Sequence, residues 1–142
     1  MSEQAKRNVN KVEWLWLLML LGNAITALFV IWIGPTYMDE SFARHATLAL
    51  IVGGVLTVPT VFVYQKWNQF RFRTPRPDPE SEIDLQAAQV WMTTGAMVSS
   101  LPMYVGIGFF MFSGNSSVLM ILTGISIGIL IAFRPAPLFG TA

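Results

Sequence analysis

The sequence predicts an all-α integral membrane protein: four transmembrane helices forming two antiparallel hairpins, with both termini on one side. Three observations predict it. Residues 14–38, 46–65 and 85–133 contain no Asp, Glu, Lys or Arg. The last stretch is 49 residues long, about 73 Å as helix at about 1.5 Å per residue, so against a hydrocarbon core of about 30 Å it must fold back once. Finally, eight of the nine Lys and Arg residues fall on one side of the resulting layout.

The first span is expected at about 14–34. Lys6, Arg7 and Lys11 precede it, but its apolar run is longer than a signal-peptide core and no small-x-small cleavage site follows, so it reads as a retained signal anchor. The second, about 45–65, starts beside Arg44 and carries Pro59. A connector over 66–84 follows. There Pro75, Pro77 and Pro79 alternate with other residues, which excludes helix and favours extended polyproline geometry. Ser81, three residues before Asp84 with Glu82 between, is a capping-box-like signal that places the next helix start near Glu82. The third span covers about 85–112 and carries Pro102. The fourth, about 117–133, is the shortest, and spans by recruiting residues 114–116 or by standing nearly upright. All four must be helices, because backbone amides in lipid need partners within the segment.

The basic residues set the orientation. Three precede the first span, four (Lys66, Arg71, Arg73, Arg76) lie in the connector, and Arg134 follows the last, against Arg44 alone on the other side. Short Lys/Arg-rich loops stay cytoplasmic, so both termini and the connector are expected inside a bacterial inner membrane, with 35–45 and 114–117 facing outward. Trp14, Trp16, Tyr64, Trp67 and Trp91 fall near the inner boundary, and Trp32 and Tyr37 near the outer one.

The 142 residues, 54% hydrophobic and 12% charged, leave room for a single transmembrane domain over 1–142 and almost no soluble mass. A net charge of +1 without a long basic run gives no reason for nucleic acid binding. The absence of cysteine excludes disulfides and thiolate metal sites. His45 is the only histidine; with Asp39 and Glu40 it forms the only cluster of metal-ligand types, which in a short exposed loop reads as surface. No metal and no cofactor is expected. Spans without ionisable side chains also argue against proton-coupled transport, and no hydrolase or phosphate-loop motif is present, so the chain reads as no enzyme. Asn115-Ser116-Ser117 matches a glycosylation sequon, but a tight turn at the membrane surface is a poor place for it.

Small residues recur four apart: Gly22 and Thr26, Ala49 and Gly53, Gly95 and Ser99, Gly124 and Gly128. Such pairs let helix backbones approach closely, and their ordinary role is packing within the bundle. Gly124 and Gly128 are the best candidates for contact with another subunit. Pro59 and Pro102 each free a carbonyl and permit a kink. The Ser and Thr residues near them ordinarily bond back to their own helix; the functional alternative is a small polar pocket of Thr57, Thr60, Ser100 and Tyr104. Phe70 and Phe72 alternate with Arg71 and Arg73, which suits rings in the interface and guanidinium groups of Arg71, Arg73 and Arg76 on lipid head groups.

The string Ser99-Ser100-Leu101-Pro102, Gly106, residues 109–113, Gly114-Asn115 and Arg134-Pro135 resembles small, largely uncharacterised bacterial four-span proteins whose layout is likened to the hairpin of ATP synthase subunit c. The resemblance covers the C-terminal third in motif and the whole chain in layout. In those relatives a glutamate often stands two residues before the proline. This chain has Ser100 there, which removes the carboxylate that a proton carrier requires.

The expected partners are membrane lipids and other membrane protein subunits or further copies of the chain. The expected role is a non-catalytic accessory subunit or assembly factor of a larger membrane complex, energy-transducing complexes included. The alternative is a small transporter or channel-like homo-oligomer with a polar path near Pro59 and Pro102.

Overall fold

The computed structural model describes residues 2–35, 41 and 44–134, which are helical with short connections and contain no strand. Helix α1, Glu3–Ile33, is 31 residues long and begins far ahead of the apolar stretch. Its polar prefix stays helical because a charge marks where lipid ends, not where a helix must end. Ser2 caps it, Oγ accepting from the Ala5 N–H at 3.1 Å. Gly34 ends it at φ 86°, a conformation that favours glycine.

Helices α2, Ala46–Val55, and α3, Val58–Arg71, form one 26-residue apolar rod interrupted at Leu56 and Thr57. Pro59 is the second residue of α3, where its missing N–H costs no helical bond. Tight bonds carry the chain across the break, from Thr57 N–H to Gly54 O and from Thr60 N–H to Thr57 O, both 3.1 Å. The same device recurs in the next rod: α4, Glu82–Ser99, and α5, Leu101–Ser113, meet at Ser100, with Pro102 second in α5. Gly114 at φ 72° then turns the chain, and Asn115 caps α6, Ser116–Ile131, by accepting from the N–H groups of Ser117 and Val118 at 3.1 and 3.3 Å.

Besides the early start of α1, two boundaries differ from expectation. The connector shrinks from 66–84 to 72–81, because α3 stays helical through Arg71, stopping only as the chain nears Pro75. The last helix occupies 116–131 rather than 117–133, after which Ala132, Phe133 and Arg134 continue as tight i to i−3 turns. Three rods, residues 3–33, 46–71 and 82–113, are long and apolar enough to cross a membrane; α6 is a shorter apolar helix of 16 residues, about 24 Å long.

Helix α5 packs most extensively on α6, and α2 packs on both. Beyond its break the second rod changes neighbours: α3 leans on α4 and makes almost no contact with α6. Helix α1 lies against α6, α4 and the start of α5. One core, at the end carrying the connector, gathers Val12, Trp16, Trp67, Met92, Leu130 and Phe133; a second, toward the other end, gathers Ala49, Phe109, Val118 and Leu122. Leu18, Ile25, Leu28, Phe29 and Trp32 leave α1 with a broad exposed apolar face, as lipid contact requires.

Candidate functional site

The connector end of the bundle is organised around Phe133. Its side chain is fully enclosed, with Tyr64 edge-on at 5.6 Å and Trp67 tilted at 6.1 Å between ring centroids. Gly95 of α4 supplies the space: a Cβ there would stand 2.5 Å from the Phe133 ring. Next to it Trp16 donates its indole N–H to Leu130 O at 2.9 Å, and Arg134 Nε donates to Glu13 at 2.7 Å while lying over the Trp16 ring. Trp16 and Trp67, expected at the lipid boundary, are therefore core residues. Their large apolar area is used to join α1, α3 and α6, whereas Trp14 stays exposed.

The connector folds onto the same end. Asp84, in the first turn of α4 and ahead of the apolar stretch, accepts from the Asp78 N–H at 2.7 Å and pairs with Arg73. Burial pushes the Asp84 carboxyl up, but the Asp78 N–H and the Arg73 guanidinium together outweigh it and hold the group below the ordinary aspartate value. Ser81 Oγ accepts from the Asp84 N–H at 3.4 Å. Asn8 of α1 donates to Pro79 O at 2.9 Å, and Ser2 bonds Glu80. Of the three arginines expected at lipid head groups, Arg73 is thus committed to Asp84 and stacks over Phe70. Arg71 lies over Phe72 with its Nε buried and, among the described residues, unpartnered, and Arg76 is exposed.

Midway along the rods, polar groups settle the helix breaks. Ser100 Oγ donates to Ala96 O at 2.7 Å and faces Asn23 Oδ1 of α1 at 3.2 Å; with the amide turned, the free Asn23 Nδ2 donates to Ser100 instead. Ser99 Oγ donates to Ala96 O at 3.0 Å. The Met103 N–H, released by the break before Pro102, donates to Ser126 Oγ of α6 at 3.0 Å. The four residues considered for a polar pocket do not converge. Thr57 and Thr60 line a groove of about 430 Å³ between α3 and α6, Ser100 turns toward α1, and Tyr104 points outward at 58% exposure. Val61, Tyr64, Ile125, Ile129, Ala132 and Phe133 complete the groove.

The small residues divide by what stands opposite. Gly53 is filled by the Leu122 side chain, Gly95 by Phe133, and Gly106 by the Leu119 backbone, with a would-be Cβ 3.0 Å from its Cα. Ala49 and Ser99 are buried beside them. Among the described residues, a Cβ at Gly124 or Gly128 would meet nothing within 4 Å, and both sit on the exposed side of α6. Gly106 and Phe133 were not among the expected contact residues. The signal for Gly106 was a glycine within an apolar helix next to a tight turn; Phe133 carried none beyond being the last apolar residue before Arg134.

At the other end His45 precedes α2 without capping it by its side chain. Asp39 and Glu40, with Tyr37 and Pro135, lie outside the described residues. Among the described residues no group of three His, Cys, Asp or Glu is placed to hold a metal ion. No protein-family model, curated protein or solved structure matches this chain.

Proposed function

We propose that this chain is a non-catalytic integral membrane subunit or assembly factor of a larger membrane complex. In this reading it lies in a bacterial inner membrane as two hairpins with both ends and the connector cytoplasmic. The observation that carries the proposal is the contrast on α6. Its inward residues Leu119 and Leu122 fill the spaces at Gly106 and Gly53, while Gly124 and Gly128 face outward with nothing opposite. Helices in lipid associate by close van der Waals contact rather than by expelling water, and an outward pair of glycines one turn apart admits a second backbone. The interior supports the same reading, because Ser99, Ser100 and Ser126 are spent on helix breaks. The transporter alternative draws less support, since Thr60, Ser100 and Tyr104 face three different surroundings.

Extraction in mild detergent followed by native electrophoresis tests the proposal. The chain should migrate within a larger assembly, and Gly124→Leu with Gly128→Leu should release it while the isolated protein keeps its helicity. Migration of the unmodified chain only as a small free species would overturn the reading.

A further inference from the structure

The outward face of α4 differs in chemistry from those of its neighbours. Helix α1 turns Leu18, Ile25 and Leu28 outward, and α6 turns Met120, Ile121 and Ile125. Helix α4 instead presents Gln86, Gln89 and Thr93, all exposed, with Thr94 half-buried at the edge. Among the described residues none of these four side chains makes a hydrogen bond, whereas Thr26, Thr57, Ser99 and Ser100 each turn back onto a carbonyl of the chain just before them. Ile83, Gln86, Val90, Thr93 and Met97 recur at steps of three and four residues, and all five are exposed. At about 100° per residue they lie on the side of α4 opposite its buried residues Asp84, Ala88, Met92, Gly95 and Ser99. That is the spacing of a helix–helix seam, in which apolar positions supply contact and polar ones fix the register. A groove of about 480 Å³, edged by Leu15 of α1, runs over the same residues.

A stripe of amides and hydroxyls between apolar side chains is matched by a surface that offers donors and acceptors in the same order. A carboxamide and a hydroxyl each carry both functions, so this stripe is complementary to itself, as a stripe of Lys or Asp is not. We propose that α4 pairs with α4 of a second copy of this chain about a twofold axis running along the helices. Gln86 and Thr93 each meet their own counterpart, Val90 packs between the two polar pairs, and Ile83 and Met97 close the seam at its ends. Hydrogen bonds of this kind across helices hold membrane bundles together as well as fixing their register. The pairing is separate from the contact proposed for Gly124 and Gly128 on α6, and it stands or falls without it.

The chain contains no cysteine, so a single introduced thiol reports the contact. The test uses the purified full-length protein in vesicles of phosphatidylethanolamine and phosphatidylglycerol, oxidised with copper phenanthroline at a series of protein-to-lipid ratios. Val90→Cys, at the centre of the seam, should cross-link to a dimer at high dilution in lipid. Ile25→Cys, on the outward face of α1, should cross-link only as collisions become frequent. Adding Gln86→Leu with Gln89→Leu to Val90→Cys keeps an exposed helical surface and removes the amides; it should weaken dimer formation about three- to tenfold, the worth of one or two interhelical hydrogen bonds in lipid. Unchanged helicity shows that the variants fold. Adding Gly124→Leu with Gly128→Leu, which blocks the α6 face, should leave the Val90→Cys cross-link in place. Equal yields from Val90→Cys and Ile25→Cys, an undiminished dimer without the amides, or loss of the cross-link on blocking α6 overturns the proposal. A monomer at every dilution also overturns it and leaves the stripe to a different partner.

Discussion

The ring of Phe133 occupies the place where Gly95 lacks a side chain: an ideal Cβ on Gly95 falls 2.5 Å from ring Cδ1 and 2.6 Å from Cε1. Tyr64 and Trp67 hold the ring from other sides, so it has nowhere to retreat. Gly95→Ala is expected to destabilise the bundle by about 1–3 kcal/mol through overpacking, read as a lowered midpoint in detergent unfolding. Phe133→Ala should cost about 3 kcal/mol or more, since the ring is enclosed on all sides. The two should not add. In the Phe133→Ala background the added methyl has a cavity to enter, and the penalty of Gly95→Ala should fall by about 1 kcal/mol or reverse.

Three glycines of identical appearance in the sequence should respond differently to alanine. At Gly106 the new Cβ would meet the Leu119 Cα at 3.0 Å, a backbone atom that moves only if α5 and α6 separate. At Gly53 it would meet the branched end of Leu122, which can rotate. At Gly124 it would meet nothing within 4 Å. The expected order of destabilisation in the isolated protein is therefore Gly106→Ala, then Gly53→Ala, with Gly124→Ala close to neutral or slightly stabilising through helix propensity. Unfolding midpoints of the three variants check the order, and a large loss at Gly124 would contradict it.

Those glycines also show what was legible beforehand. Spacing four apart identifies a small-residue face, but which face meets a partner depends on helix rotation, and that is set by packing far away in sequence. Charge placement located the apolar rods because burying a charge in lipid is costly; it misplaced the ends of α1 and α3 because a helix continues freely into water. Pro59 and Pro102 announced the two breaks through their missing N–H groups, and Ser81 announced the start of α4. Trp16 and Trp67 were read as interfacial because an indole suits an interface, yet the same ring area serves equally to join helices. Asn115 was read as part of a turn and a sequon, and its role as the cap of α6 was missed. The Asp84 pairing with Arg73 was hidden because Asp84 reads as part of a helix-start signal and Arg73 as a lipid head-group contact.

Asp84 makes the connector sensitive to acid. Its carboxyl titrates below the ordinary aspartate value in the folded protein, so ionised Asp84 contributes stability that is fully present above the unfolded value, about 3.9, and is lost as the pH falls through the lower folded value. Arg73 is 39% exposed, which limits the pair itself to about 1 kcal/mol at most. The bond to the Asp78 N–H adds to it, and an orphaned N–H there costs about 1–2 kcal/mol. The protection of the Asp78 amide against exchange, relative to the unstructured rate at the same pH, should fall below about pH 4, and Asp84→Ala should reproduce that loss of protection at neutral pH. Arg73→Gln should have the smaller effect, because Asp78 still has its acceptor.

The break at Ser100 leads to the sharpest comparison between neighbouring serines. Ser126 Oγ accepts the Met103 N–H at 3.0 Å across the α5–α6 contact, and both residues are buried. Without that oxygen the buried amide loses its partner across the contact, so Ser126→Ala should cost about 1–3 kcal/mol. Ser99 is buried as deeply, but its hydroxyl only turns back onto Ala96 O, a carbonyl that also faces Ser100 Oγ and the Ser100 N–H. Ser99→Ala leaves no group unpaired and should cost less than about 1 kcal/mol. Ser126→Thr keeps an acceptor and should recover part of the loss where its methyl fits. Equilibrium unfolding of the three variants decides the matter: equal losses for Ser126→Ala and Ser99→Ala would mean that the interhelical bond to Met103 carries no special weight, and that close packing of α5 on α6 alone holds the break in place.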